Sequence, residues 1–165
     1  HNNWIKSASL KLQLPSTLIV SIKEEKPGFI LKNREEVSLL NNNGKIIEKL
    51  NYISENYKNL IVLSGEDAER NINSLLNILS VNTTIAKDIK EAFFISKRRW
   101  TLKHSSNITI DFPAINPGEA FYKIGELQKK YGFLSKKIKK VDLRVSNRMI
   151  IELKERKDVL EESKI

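Results

Sequence analysis

Cysteine is absent from all 165 residues. That excludes disulfides and thiolate metal sites, and it suits an oxidising compartment such as the periplasm. Histidine is scarce: His1 and His104 are the two present, too few and too far apart to hold a metal. The six glycines stand singly, so neither a dinucleotide fingerprint nor a phosphate-binding loop can be drawn. No run of about 18 apolar residues occurs, so nothing in the sequence reads as a membrane-spanning helix. No signal peptide is visible and residue 1 is His rather than Met, as expected of an excised fragment. Carboxylate pairs at Glu24/Glu25, Glu35/Glu36, Glu66/Asp67 and Glu161/Glu162 sit at element ends or in polar stretches. Nothing there splits two pKa values for acid–base work. No serine lies in a nucleophile elbow. The expectation is a protein that is not an enzyme and needs no cofactor.

Basic charge is what the chain has in excess. Twenty-nine Lys and Arg face twenty Asp and Glu, for a net charge of +9. Nucleic acid and anionic membranes both attract such a charge, but the lysines are spread as a solvated surface requires. The densest cluster is Lys136, Lys137, Lys139 and Lys140, followed by Lys97, Arg98, Arg99 and Lys103. Trp100 beside Arg98 and Arg99 is the one local match to the aromatic–basic interleaving of nucleic-acid binders. A Trp in an alternating strand reads more readily as core. A basic nucleic-acid-binding α+β domain is therefore the alternative reading, not the leading one.

Periodicity supplies the organisation. Leu10, Leu12 and Leu14 alternate as a half-buried strand, Pro15-Ser16 turns, and Leu18, Val20 and Ile22 alternate back. Phe29-Ile30-Leu31 is a short strand, and Val37–Ile47 a hairpin about Asn43-Gly44. Leu60–Leu63 is a buried strand. Ser64-Gly-Glu-Asp67 opens a helix with Ser64 as its cap, and Ile72, Leu75, Leu76 and Leu79 mark its apolar face. Ile85 to Ile89 adds a short turn of helix. Ala92 to Lys103 reads as one extended run with Trp100 and Leu102 inward, and Ile108, Ile110 and Phe112 alternate after a turn. Asn116, Pro117 and Glu119 start a second helix, with Ala120, Ile124, Leu127 and Tyr131 as its stripe and Gly132 as its close. The fold class is α+β, mostly antiparallel, with two main helices.

The end of this pattern is the most informative part. Lys140-Val-Asp-Leu-Arg-Val145, the turn Ser146-Asn147-Arg148 and Met149-Ile-Ile-Glu-Leu153 form a hairpin whose last strand has nothing left to pair with. Met149, Ile151 and Leu153 fall on one face, Arg148, Ile150 and Glu152 on the other. The residues expected to take a partner strand are Val145, Ser146, Arg148, Met149, Ile150, Ile151, Glu152 and Leu153. Lys136, Lys137, Lys139 and Lys140 are expected to draw an acidic partner toward it.

Three segments in order carry a family resemblance. They are Trp4-Ile5-Lys6-Ser7-Ala8 with Leu14–Glu24 and Pro27; Arg99-Trp100-Thr101-Leu102-Lys103 with Ile108-Thr109-Ile110; and Lys140-Val141-Asp142-Leu143-Arg144. Together they resemble the extracytoplasmic part of FtsQ, also called DivIB, a bacterial cell-division family. The resemblance implies a single-pass inner-membrane protein of the division septum, with this region in the periplasm and the membrane helix elsewhere. It implies a scaffold that binds FtsB and FtsL by strand addition on its last strand and links them to the septal synthases FtsW and FtsI, with no nucleic-acid partner. Residues 1–32 would be the end of a POTRA domain, 33–155 the β-domain and 156–165 a charged tail. A POTRA domain has a strand and two helices before the Trp-containing segment, and this chain starts at that segment. The hairpin is thus expected to be poorly ordered or covered by a neighbouring copy, with Leu10, Leu12, Val20 and Ile22 bare. A POTRA-type chaperone module fits the first hairpin but not the other two segments. The turn at Ser146-Asn147-Arg148 also departs from the family's aromatic and small residues.

Overall fold

The computed structural model describes residues 2–34, 36–145 and 148–155. The charged tail expected at 156–165, and Ser146 and Asn147 of the expected last turn, lie outside the described residues.

The first two apolar runs fold as expected into a hairpin of β1 (Ile5–Gln13) and β2 (Thr17–Glu24). Leu10 pairs with Val20 and Leu12 with Leu18, so their side chains share one face. The sequence reads this as a half-buried strand, but the face is bare: Leu10 is 69% exposed and Ile22 57%. The pair forms a sheet of its own, and alternation alone cannot show whether anything covers the apolar side. The hairpin is nonetheless fastened at its base. Trp4 Nε1 donates to Glu48 at 3.2 Å, and Glu25 N to the Trp4 carbonyl at 2.8 Å. The Glu25 carboxylate is 9% exposed and accepts from Asn41 Nδ2 at 3.1 Å.

The other nine strands among the described residues form one sheet. They are β3 (Pro27–Lys32), β4 (Val37–Asn41), β5 (Ile46–Leu50), β6 (Ile61–Ser64), β7 (Ile89–Ile95), β8 (Arg99–His104), β9 (Thr109–Asp111), β10 (Ile138–Asp142) and β11 (Ile150–Leu153). Their spatial order is β11-β10-β9-β8-β7-β6-β3-β4-β5. β3, expected within the segment 1–32, sits between β6 and β4 in this sheet. Phe29, Ile30 and Leu31 pair with β4 on one side and β6 on the other. With Phe29, Ile30 and Leu31 buried, β3 lies inside the large sheet and not in the two-stranded one.

Most pairs are antiparallel, but β3–β6, β6–β7 and β9–β10 are parallel. Parallel neighbours require a crossover. Between β6 and β7 it is made by α1 (Ile72–Ser80) and α2 (Thr83–Ala86), and between β9 and β10 by α3 (Pro117–Tyr131). Two sequence readings of these connections are corrected. Ser64 does not cap a helix. Gly65 and Asp67 hold φ of 111° and 61°, left-handed backbone that cannot start an α-helix, and α1 begins only at Ile72. A Cβ at Gly65 would stand 2.2 Å from the Phe94 carbonyl oxygen, so glycine is required there. Ala92–Lys103 is likewise two strands, not one. Ser96 and Lys97 take φ of 51° and 54° and fold β7 back onto β8.

Helix α3 starts and stops where the sequence says, between Asn116 and Gly132, each left-handed. Asn116 caps it through its carbonyl, which accepts from Glu119 N at 3.2 Å, and not through its side chain. The buried face is Ala120, Phe121, Ile124 and Gly125. Tyr131, expected in the stripe, is 54% exposed. Phe121 meets Phe112 edge-on, ring centres 5.8 Å apart, and so joins the helix to the end of β9.

One row of side chains runs across the sheet under α1 and α3. Leu31, Leu63, Ala92, Leu102, Ile110 and Val141 are register partners strand by strand and are all buried. The next member is Ile151, opposite Val141. It is 43% exposed. The core therefore runs out at the edge of β11, not before it.

Candidate functional site

Among the described residues β11 pairs with β10 and nothing else, so it is one of the two edges of the sheet they form. The pairing is antiparallel, Asp142 to Ile150, Val141 to Ile151 and Lys140 to Glu152, with a bulge between Ile138 and Lys140. The expected strands are longer than those formed. β10 ends at Asp142 and β11 begins at Ile150. The cause is local: Leu143 N donates to the Asp111 carbonyl at 2.9 Å, and the Arg144 guanidinium folds back onto Asp142. Arg144 Nε lies 2.9 Å from Asp142 Oδ1 and Nη2 2.6 Å from Oδ2. Val145, placed in the strand by alternation, is instead an exposed loop residue. Met149 packs against the core. Leu143, Val145, Arg148 and Met149 form one wall of a groove of about 720 Å³, with Pro113–Asn116 and the first turns of α3 as the other.

Hydrogen-bond parity shows which backbone groups are open. Lys154 N donates to the Lys137 carbonyl at 3.0 Å. In an antiparallel pair successive residues alternate between facing the partner and facing away. Ile150, Glu152 and Lys154 therefore turn their N–H and C=O toward β10. Ile151 and Leu153 turn theirs outward, to an edge with no described strand beside it. An edge of unpaired donors and acceptors is a template for another strand. Its side chains match: Ile150, Ile151 and Leu153 are 54%, 43% and 65% exposed. Among the eight residues expected to dock, the structure thus puts Ile150, Ile151, Glu152 and Leu153 in the edge strand, Val145, Arg148 and Met149 in the loop before it, and Ser146 outside the described residues.

The basic cluster divides in two. Lys140 Nζ lies 2.8 Å from Asp111, and Lys139 Nζ 3.2 Å from Glu152. These two are tied into the sheet. Lys136 and Lys137 are exposed beside the edge.

Sequence reasoning missed the acidic half of this arrangement. Asp111 and Asp142 are register partners on the face opposite the core row. Asp111 is 7% exposed and accepts from Thr101 Oγ1 at 2.6 Å. Burial raises its carboxyl, but hydrogen bonds from Lys140 and Thr101 and the charges of Lys140 and Arg144 outweigh that and hold it below the usual carboxylate range. The Arg144 hydrogen bond does the same for Asp142 against a smaller burial effect. The one available signal was an Asp at the end of an alternating strand, and it says nothing of its cross-strand neighbour. Both folded values lie below the unfolded ones, so these carboxylates stabilise the fold above about pH 4 and cease to as pH falls through their folded values. Asp111→Asn with Asp142→Asn should lower the urea midpoint at pH 7, and the gap from the parent should close toward pH 2. A gap that is constant across that range would refute the ion-pair origin.

The other candidates dissolve on inspection. Trp100 is 2% exposed, tilted against Phe94 with ring centres 4.7 Å apart, with its Nε1 donating to Ser74 Oγ at 2.8 Å. It is core, and it offers no base a stacking surface. His104 Nδ1 lies 2.8 Å from Ser106 Oγ, and burial lowers its pKa. Among the described residues no His, Asp and Glu gather as a metal site, and no helix is long and apolar enough to cross a membrane.

The family model for the C-terminal domain of the cell-division protein FtsQ/DivIB matches residues 29–144. The match starts within β3. A cell-division protein FtsQ of Bradyrhizobium diazoefficiens is 25% identical over 154 residues, 93% of this chain and 44% of that protein. Another, of Rickettsia bellii, is 30% identical over 152 residues, 92% of this chain and 56% of that protein. The chain thus spans about half the length of the curated relatives it matches. Among solved structures, the major extracytoplasmic domain of DivIB from Geobacillus stearothermophilus aligns with a TM-score of 0.40 and 10% identity, over 68% of this chain and 92% of that one.

Proposed function

The chain belongs to the FtsQ/DivIB family of cell-division proteins, and from that premise we propose that it is a non-enzymatic scaffold of the division machinery that captures a partner strand on β11. The partners are FtsB and FtsL. Through them the scaffold connects to the septal synthases FtsW and FtsI, from a periplasmic position anchored to the inner membrane by a helix elsewhere in the protein. One observation carries this reading: the buried row across the sheet ends in half-exposed Ile151, whose own N–H and C=O face outward. A strand laid there gains backbone hydrogen bonds, and an apolar side chain opposite Ile151 continues the core row.

Charge favours an acidic partner. Lys136 and Lys137 stand beside the edge, in a chain of net charge +9. Exposed charges of this kind steer encounter more than they hold the complex. The test is surface-bound kinetics with the FtsB extracytoplasmic segment. The parent chain should bind saturably. Lys136→Glu with Lys137→Glu should slow association about tenfold at low salt, with dissociation changed less than about twofold. Absence of saturable binding by the parent chain overturns the proposed partner.

A further inference from the structure

Only Glu25 and Lys26 join the hairpin to the large sheet, since β2 ends at Glu24 and β3 begins at Pro27. Pro27 fixes its own φ and keeps the residue before it extended. Glu25 is buried although it is a carboxylate, and a buried charge persists only with partners. Its partners come from the end of β4 and the turn that follows. Asn41 Nδ2 donates to it at 3.1 Å and Lys45 Nζ at 3.5 Å. The Asn41 amide cannot flip away, because its Oδ1 accepts from Asn43 N at 2.9 Å and Lys45 N at 3.0 Å. Asn42, in the same turn, lies against the start of β3: a Cβ on Gly28 would stand 1.9 Å from its Oδ1. The other leg of the hairpin is tied at a separate point. Trp4, just before β1, donates from Nε1 to Glu48 of β5 at 3.2 Å, and its carbonyl accepts from Glu25 N at 2.8 Å.

We propose that Trp4, Glu25, Asn41, Lys45 and Glu48 form a locked joint that holds the β1–β2 hairpin as a rigid arm at one fixed angle to the large sheet. An arm attached through one strand can swing about its hinge. This one is held through both strands, at two different points of the β4–β5 hairpin, and the buried carboxylate loses its hydrogen bonds if either strand moves off. β5 and β11 stand at opposite ends of the sheet formed by the described residues, so the joint also sets the direction of the arm relative to the β11 edge. The device is separate from that edge and does not depend on what docks there.

The test is a distance distribution. The chain has no cysteine, so spin labels on Lys11→Cys in β1 and Lys90→Cys in β7, both exposed positions, can be read by double electron–electron resonance on the whole chain. The labelled parent should give a single narrow distribution. Glu25→Ala with Trp4→Phe removes both ties and should widen it severalfold. Glu25→Gln keeps an acceptor for Asn41 Nδ2 and should stay near the parent's width. With Trp4 replaced, buried Trp100 is the one tryptophan left, and its fluorescence follows unfolding of the large sheet. That thermal midpoint should stay within about 4 °C of the parent. A broad distribution in the parent overturns the proposal, as does a double variant as narrow as the parent. Glu25→Gln as broad as the double variant overturns the hydrogen-bonded joint. Widening with a larger fall of the Trp100 midpoint overturns it too, because the residues would then be holding the sheet and not the arm.

Discussion

Ile151→Pro is expected to leave the chain folded and to weaken partner-strand binding by about 100-fold, roughly 3 kcal/mol. The Ile151 N–H faces away from β10, so removing it costs the sheet no hydrogen bond. The φ that proline imposes is tolerated in an edge strand, and the extended residue before it is what proline prefers. The thermal midpoint should therefore move little. The incoming strand, by contrast, loses a donor at its centre and meets the pyrrolidine ring where its own carbonyl would approach. Glu152→Pro is the control with opposite parity. It removes an N–H that bonds to β10, so it should detach β11 and lower stability as well as binding. Equal losses of binding with equal losses of stability in both variants would show that the edge matters only as part of the fold.

Phe121→Ala should have the largest effect on stability. Phe121 is fully buried, packs edge-on against Phe112 and holds α3 to the sheet. Truncating a buried Phe costs about 3–5 kcal/mol through lost transfer energy and the cavity left behind. In a chain of this size that lowers the thermal midpoint by roughly 10 °C or more. The same helix is the crossover that delivers β10 to its place beside β9, so the damage should reach the docking edge. Binding by Phe121→Ala should weaken as temperature rises well before the parent's does. A midpoint within about 2 °C of the parent would contradict the place given to this ring pair.

Much of this was legible in the chain. Alternation in Ile108–Phe112 and Val141–Leu143, and the Asn116-Pro117…Gly132 frame, locate the elements nearest the edge, because each rests on local period or on a cap. The final strand was also legible, since Met149, Ile151 and Leu153 alternate with Ile150 and Glu152. The misplacements share a cause. Ser64 read as a helix cap because Glu66 and Asp67 follow it, but Gly65 is pulled into left-handed backbone by its approach to Phe94. β3 was assigned to the first hairpin because it follows it in sequence, whereas its pairing with β6 reaches across thirty residues. Val145 was placed in a strand that ends at Asp142, because Arg144 turns back on that carboxylate.

The central claim is that Ile151 and Leu153 present the backbone groups a partner takes. Amide hydrogen exchange resolved by residue tests it directly, on the chain alone and with the FtsB extracytoplasmic segment bound. In the free chain Ile150 and Glu152 should be protected, and Ile151 and Leu153 should exchange fast. In the complex Ile151 and Leu153 should become protected, with Ile150 and Glu152 little changed. Unaltered fast exchange at Ile151 and Leu153 in a saturated complex would contradict strand addition at this edge.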